Sequence, residues 1–60
     1  MLNGLQIYIH KNGLNERDVM NKLNDAAVIS DNCISAADVC TGDAQTAIAW
    51  LEREKGELAL

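Results

Sequence analysis

Two runs of small apolar residues, each spaced for one face of a helix and separated by a tight turn, constrain this chain more than any other feature. They lie in 30–55, SDNCISAADVCTGDAQTAIAWLEREK. In the first run Cys33, Ala36, Ala37 and Cys40 fall at i, i+3, i+4 and i+7. That spacing puts four side chains on one helical face. In the second run Ala44, Ala47, Ile48 and Leu51 recur at helical spacing, with Trp50 beside them and Gln45, Thr46, Glu52 and Arg53 turned away. The spacing predicts helices over 31–40 and 43–54. Ser30 or Asp31 caps the first. Asp43 caps the second, its carboxylate accepting from the free N–H groups of the first turn. Gly42 permits the backbone reversal between them, and Gly56 is a stop signal. The side chains are small, so the two helices can approach closely.

Upstream, Leu5, Ile7 and Ile9 alternate with Gln6, Tyr8 and His10. Period two predicts a half-buried strand over 5–10, closed by the turn signal Lys11-Asn12-Gly13. A lone strand cannot pair its own backbone groups. Two partners are open to it. One is the tail, where Leu58 and Leu60 fall on one side of Glu57-Leu58-Ala59-Leu60. The other is the same strand from a second copy, antiparallel across a two-fold axis. An unguarded edge recruits another strand, so the expected assembly is a homodimer built on Leu5, Ile7, Tyr8 and Ile9. Between strand and stripes, 15–25 reads as a helix that begins at Asn15, with Asp18 helping the cap. Val19, Met20, Leu23, Ala26 and Ala27 supply its buried side. Ala27-Val28-Ile29 is a short apolar connector. The expected fold is mainly α: one domain over 1–60, an N-terminal strand followed by a compact three-helix bundle.

Length sharpens these expectations. A chain of 60 residues buries only about 60% of its unfolded surface, and such domains usually need disulfides, metal or oligomerisation. Cys33 and Cys40, seven residues apart on one predicted helix, would hold their Cα atoms roughly 10 Å apart. That exceeds the ~7 Å a disulfide can bridge. Both therefore read as reduced core residues, which suits a reducing cytosol and a cytoplasmic protein. No signal peptide, transit peptide or membrane-spanning run is expected. The net charge is −4 and the five basic residues are scattered. Phosphate binding runs on clustered positive charge, so nucleic acid is disfavoured as a partner.

Catalytic, metal and cofactor chemistry is not expected. His10, the single histidine, falls on an outward strand position. Asp31, Asp38 and Asp43 are better explained as caps and solvated carboxylates. No nucleophile–base pair, phosphate-cradling loop or tetrahedral ligand spacing is present. Trp50 has two compatible roles: closing the corner between the last two helices, and anchoring a partner, a use for which Trp is favoured. The expected protein-binding residues are Ala27, Val28, Ile29, Trp50 and Leu51.

Met20 and Leu23, then Ala26-Ala27-Val28, then Cys33, Ala36 and Ala37, then Gly42-Asp43, then Ala47, Ile48, Trp50 and Leu51 run on without a gap. In order and spacing they resemble the ubiquitin-associated (UBA) fold, and within it the N-terminal domain of translation elongation factor Ts. The resemblance covers 16–55 and implies a three-helix, UBA-like domain. Ala27 stands where the family has a loop glycine and Val28 where it has an aromatic residue. That loop is the family's main ubiquitin contact, so ubiquitin binding is not carried over. Nothing matches the later domains of the elongation factor, so nucleotide exchange is not implied.

Two functions compete. The first is a small acidic protein-interaction module, of the kind a phage or plasmid accessory protein uses to bind and modulate a host protein. The alternative is a small dimeric transcription regulator. In a helix-turn-helix version, Gln45, Thr46 and Ala49 would face DNA. In a ribbon-helix-helix version, Gln6, Tyr8 and His10 would read the major groove.

Overall fold

The described residues open with a helix. The computed structural model describes residues 4–30 and 32–59, with side chains up to residue 56. Three α-helices, α1 (Gly4–Lys11), α2 (Glu16–Asp25) and α3 (Thr41–Ala59), and one 3-10 turn (Ala36–Asp38) make up its regular structure. No strand occurs among the described residues.

The strand expected over 5–10 is therefore corrected to α1. The sequence LQIYIH supports two periods at once. Read at two, Leu5, Ile7 and Ile9 share a face. Read at 3.6, Leu5 and Ile9 share a face and Ile7 lies off it. The structure takes the second: Leu5 and Ile9 are 0% and 4% exposed, while Ile7 is 50% exposed. An isolated helix of this length is unstable in water, so packing of Leu5 and Ile9 sustains it. With no strand there is no free edge, and Leu5, Ile7, Tyr8 and Ile9 do not form a dimer strand. Pairing with the tail goes too, since α3 continues through Ala59; Leu60 lies outside the described residues.

α1 and α2 end in the same way. After α1, Gly13 N–H donates to His10 O at 3.2 Å and Leu14 N–H to Ile9 O at 2.9 Å. After α2, Ala27 N–H donates to Asn24 O at 3.1 Å and Val28 N–H to Leu23 O at 2.9 Å. These are paired Schellman bonds, which need a left-handed residue just past the helix. Gly13 takes it at φ 62° and Ala27 at φ 55°. Glycine does so freely, whereas a Cβ makes the conformation costly. The other end of α2 follows the sequence: the Asn15 side chain accepts from Asp18 N–H at 3.0 Å.

The helix expected over 31–40 is a single turn, Ala36–Asp38, capped by Ser35 Oγ accepting from Ala37 N–H at 3.2 Å. Residues 30–35 are rich in short polar side chains that compete with the helix for backbone groups. The small-residue stripe is split as a result. Ala36 is buried, Cys33 half-buried, and Ala37 and Cys40 exposed. Cys40 is thus not a core residue; Val39 is buried instead. Both thiols are free, but helical rise is no longer what separates them. Asp31 lies outside the described residues. α3 begins at Thr41, so Gly42 sits in its first turn, and it runs past Gly56. One glycine within a helix costs only about 1 kcal/mol.

The core comprises Leu5 and Ile9 of α1; Val19, Met20 and Leu23 of α2; Ile29, Ala36 and Val39 of the connector that runs over 26–40 between α2 and α3; and Ala44 and Ala47 of α3. α1 packs against α2, the 3-10 turn and α3 alike.

Two stability measurements check this arrangement by urea unfolding. Leu5→Ala should cost about 2–5 kcal/mol, against at most about 1 kcal/mol for Ile7→Ala. Equal losses would favour the period-two pattern instead. Ala27→Gly should stabilise by roughly 1 kcal/mol by relieving the left-handed alanine. A destabilising result would refute the cap geometry.

Candidate functional site

Two open grooves flank α3, and neighbouring residues of that helix divide between them. The first has a volume of about 340 Å³. Ala26, Ala27 and Val28 line it from the end of α2; Thr46, Ala49, Trp50 and Arg53 line it from α3. The α3 residues fall at i, i+3, i+4 and i+7, a second stripe beside the buried one. Trp50 is half-buried and packs against the core. Thr46 Oγ1 donates to Gly42 O at 3.1 Å, within the helix.

Two polar ties hold the connector that forms the opposite wall. Asn24 Nδ2 donates to Met20 O at 3.0 Å and to Cys33 O at 2.9 Å, joining α2 to the connector. Ser30 N–H donates to Asp43 Oδ2 at 3.0 Å, joining the connector to the first turn of α3. Asp43 N–H is itself bonded to Cys40 Sγ at 3.5 Å. So Asp43 reaches back to Ser30, and Cys40 Sγ occupies the capping role at the start of α3. The Asp43 carboxyl is held below its ordinary range, first by the Ser30 backbone bond and then by the Ser30 side chain; desolvation opposes them, and the Cys40 side chain adds the smallest lowering effect.

The second groove, about 310 Å³, lies between all three helices. Tyr8, Asn12 and Leu14 line it from α1 and the turn after it, Lys22 from α2, and Leu51, Glu54 and Lys55 from α3. Burial, then the Glu52 carboxylate that accepts from its phenol, pushes the Tyr8 pKa up.

The structure brings together Ala27, Val28 and Trp50 from the expected protein-binding set. Ile29 is buried in the core, and Leu51 opens on the second groove. Thr46 and Ala49, expected on the DNA face, share the Trp50 groove, while Gln45 is exposed outside both. His10 and Ile34 are exposed and line neither groove. Among the described residues, no cluster of three His, Cys, Asp or Glu is arranged to hold a metal, and no helix is long and apolar enough to cross a membrane. Asn24 and Arg53 had no marked role in the sequence reading. The i, i+3, i+4, i+7 spacing of 46–53 was the signal that could have found Arg53. Compared with known protein families, curated proteins and solved structures, the chain finds no match.

A carboxyl lowered in the folded state stabilises the fold above its unfolded pKa, and that contribution is lost as pH falls through the folded value. For Asp43, whose ordinary value is 3.8, the loss falls below that pH. Asp43→Ala should lower the melting temperature at neutral pH and flatten the acid limb of the stability profile. Asp43→Asn, which keeps an acceptor for Ser30, should recover much of the neutral-pH loss but not the acid limb. An acid limb unchanged in both variants would remove the tie.

Proposed function

We propose that this protein is a small interaction module whose protein partner docks in the Trp50 groove. One observation carries the reading: the fold gathers connector residues Ala27 and Val28 with Thr46, Ala49, Trp50 and Arg53 around one concave surface. Trp and Arg are the side chains most enriched where interface energy concentrates. The flanking small residues leave the indole and guanidinium accessible. The chain's net charge of −4 favours a protein partner over a nucleic acid. A phage or plasmid accessory protein that binds and modulates a host protein is the form of this reading that size and acidity fit. Two free cysteines suit a reducing, cytoplasmic setting.

The UBA-like resemblance enters at the same level. Ala27, at the position of the family's loop glycine, adopts a glycine-like φ of 55°, which supports the loop part of it. The second helix of the pattern is one 3-10 turn here, and α1 has no counterpart in the pattern. Two features weigh against the transcription-regulator alternative. The strand for a ribbon-helix-helix is α1, and the leading helix for a helix-turn-helix is the turn Ala36–Asp38.

The test uses exposed positions. Ala49→Glu/Arg53→Glu should keep the circular dichroism spectrum and change stability by no more than about 0.5 kcal/mol per site. Wild-type protein should retain a partner from lysate that the double variant loses. With that partner purified, the dissociation constant should rise at least about tenfold, as for a residue worth over 1 kcal/mol at an interface. Equal retention of the partner by both forms would reject the groove. Salt-sensitive binding to duplex DNA by the wild type, lost in the variant, would reject the protein partner.

A further inference from the structure

The groove between the three helices carries a separate proposal. Its charge runs against the rest of the molecule. The chain has nine acidic and five basic residues, yet this groove is lined by Lys22 and Lys55 against Glu54, with Glu52 outside the lining, beside the Tyr8 phenol. Both lysines are exposed. They stand on different helices, α2 and α3. Between them lies an apolar surface from Tyr8, Leu14 and Leu51, with the Asn12 side chain at its edge. Asn12 is held in place by its Nδ2 donating to Tyr8 O at 2.9 Å. Glu52 takes the Tyr8 phenol, so the ring offers its apolar body rather than its hydroxyl.

The volume, about 310 Å³, is at the low end for ligand sites. It admits one large apolar side chain with its neighbours, not a whole helix. A single-headed lipid needs one charge at the mouth of a closed apolar cavity. Here the groove is open and its two cations come from separate helices. That arrangement suits two carboxylates separated by an apolar residue. Nor does it depend on the Trp50 groove, which Leu51, Glu54 and Lys55 do not line.

We propose that this groove receives an extended acidic segment of a partner protein. One apolar side chain sits against Tyr8, Leu14 and Leu51, and carboxylates on either side of it meet Lys22 and Lys55. Exposed charge pairs each contribute little, so the affinity is modest and falls with added salt.

The experiment titrates isotopically labelled protein with short synthetic peptides, followed by NMR. The probes are a peptide with a Glu-Leu-Glu core, its Gln-Leu-Gln and Lys-Leu-Lys counterparts, and decanoate. The acidic peptide should shift the amide signals of Tyr8, Leu14, Lys22 and Leu51. The Gln peptide should bind about tenfold more weakly, the combined loss of two surface charge contacts. Lys22→Glu/Lys55→Glu should abolish acidic-peptide binding and gain binding of the Lys peptide. Lys22→Gln/Lys55→Gln, which adds no repulsion to the fold, should weaken the acidic peptide to the level of the Gln peptide. Equal binding of the Glu and Gln peptides would overturn the proposal, as would shifts centred on Trp50 and Arg53. Decanoate binding as tightly as the acidic peptide would assign the groove to a lipid instead. Self-association of the wild type that is lost in the double variants would assign it to a second copy. None of these outcomes depends on whether Ala49→Glu/Arg53→Glu releases a partner from the Trp50 groove.

Discussion

The fold rests on two side chains one helical turn apart, Leu5 and Ile9. α1 is the element that packs against each of the others, and these two residues are its buried contacts. Full burial of a Leu or Ile side chain contributes about 1.5–3 kcal/mol, a large share of what a domain this small has in total. Around them the remaining core is mostly Val, Ile, Leu, Met and Ala. Small side chains there let the turn at Ala36 and the first turns of α3 lie close to α1. Tyr8 extends the same helix outward, toward the Glu52 carboxylate of α3.

The connector from 26 to 40 is placed by different forces. It has only one turn of helix, so it cannot organise itself through its own ladder. Its apolar residues Ile29, Ala36 and Val39 are buried, and its polar ties are Asn24 to Cys33 O and Ser30 to Asp43. Net hydrogen bonds contribute about 1 kcal/mol each, so burial sets where the connector lies and the bonds set its registration. The left-handed Ala27 shows that registration has a cost. The chain accepts an unfavourable residue conformation to end α2 and turn Val28 back beside Leu23. The Trp50 groove exists because of that turn.

α3 carries both grooves because adjacent positions of a helix diverge by about 100°. Trp50 and Leu51 therefore look into different surfaces. Trp50 and Arg53 face the connector, while Leu51 and Lys55 face α1 and α2. One long helix thus presents an aromatic–cationic surface on one side and an apolar surface bracketed by lysines on the other.

What the sequence determined by itself was local. The Asn15 cap, the Val19, Met20 and Leu23 face of α2, the turn at Gly13, and the Ala44 and Ala47 stripe of α3 each depend on residues within one or two turns of chain. Their physics is complete in a short window. What only the tertiary structure decided involves a choice between two locally acceptable answers. LQIYIH fits both a strand and a helix, and burial of Leu5 with Ile9 rather than with Ile7 selects the helix. Residues 31–40 have helical spacing but short polar side chains, and the place of Ala36 and Val39 in the core selects a single turn. Asp43 fits a helix cap, and the arrival of Ser30 from thirteen residues away makes it a tie instead. Leu51 and Trp50 are neighbours in sequence, and the position of α1 sends them to opposite grooves. In each case the deciding contact is distant along the chain, and its energy is absent from any window short enough to show a pattern.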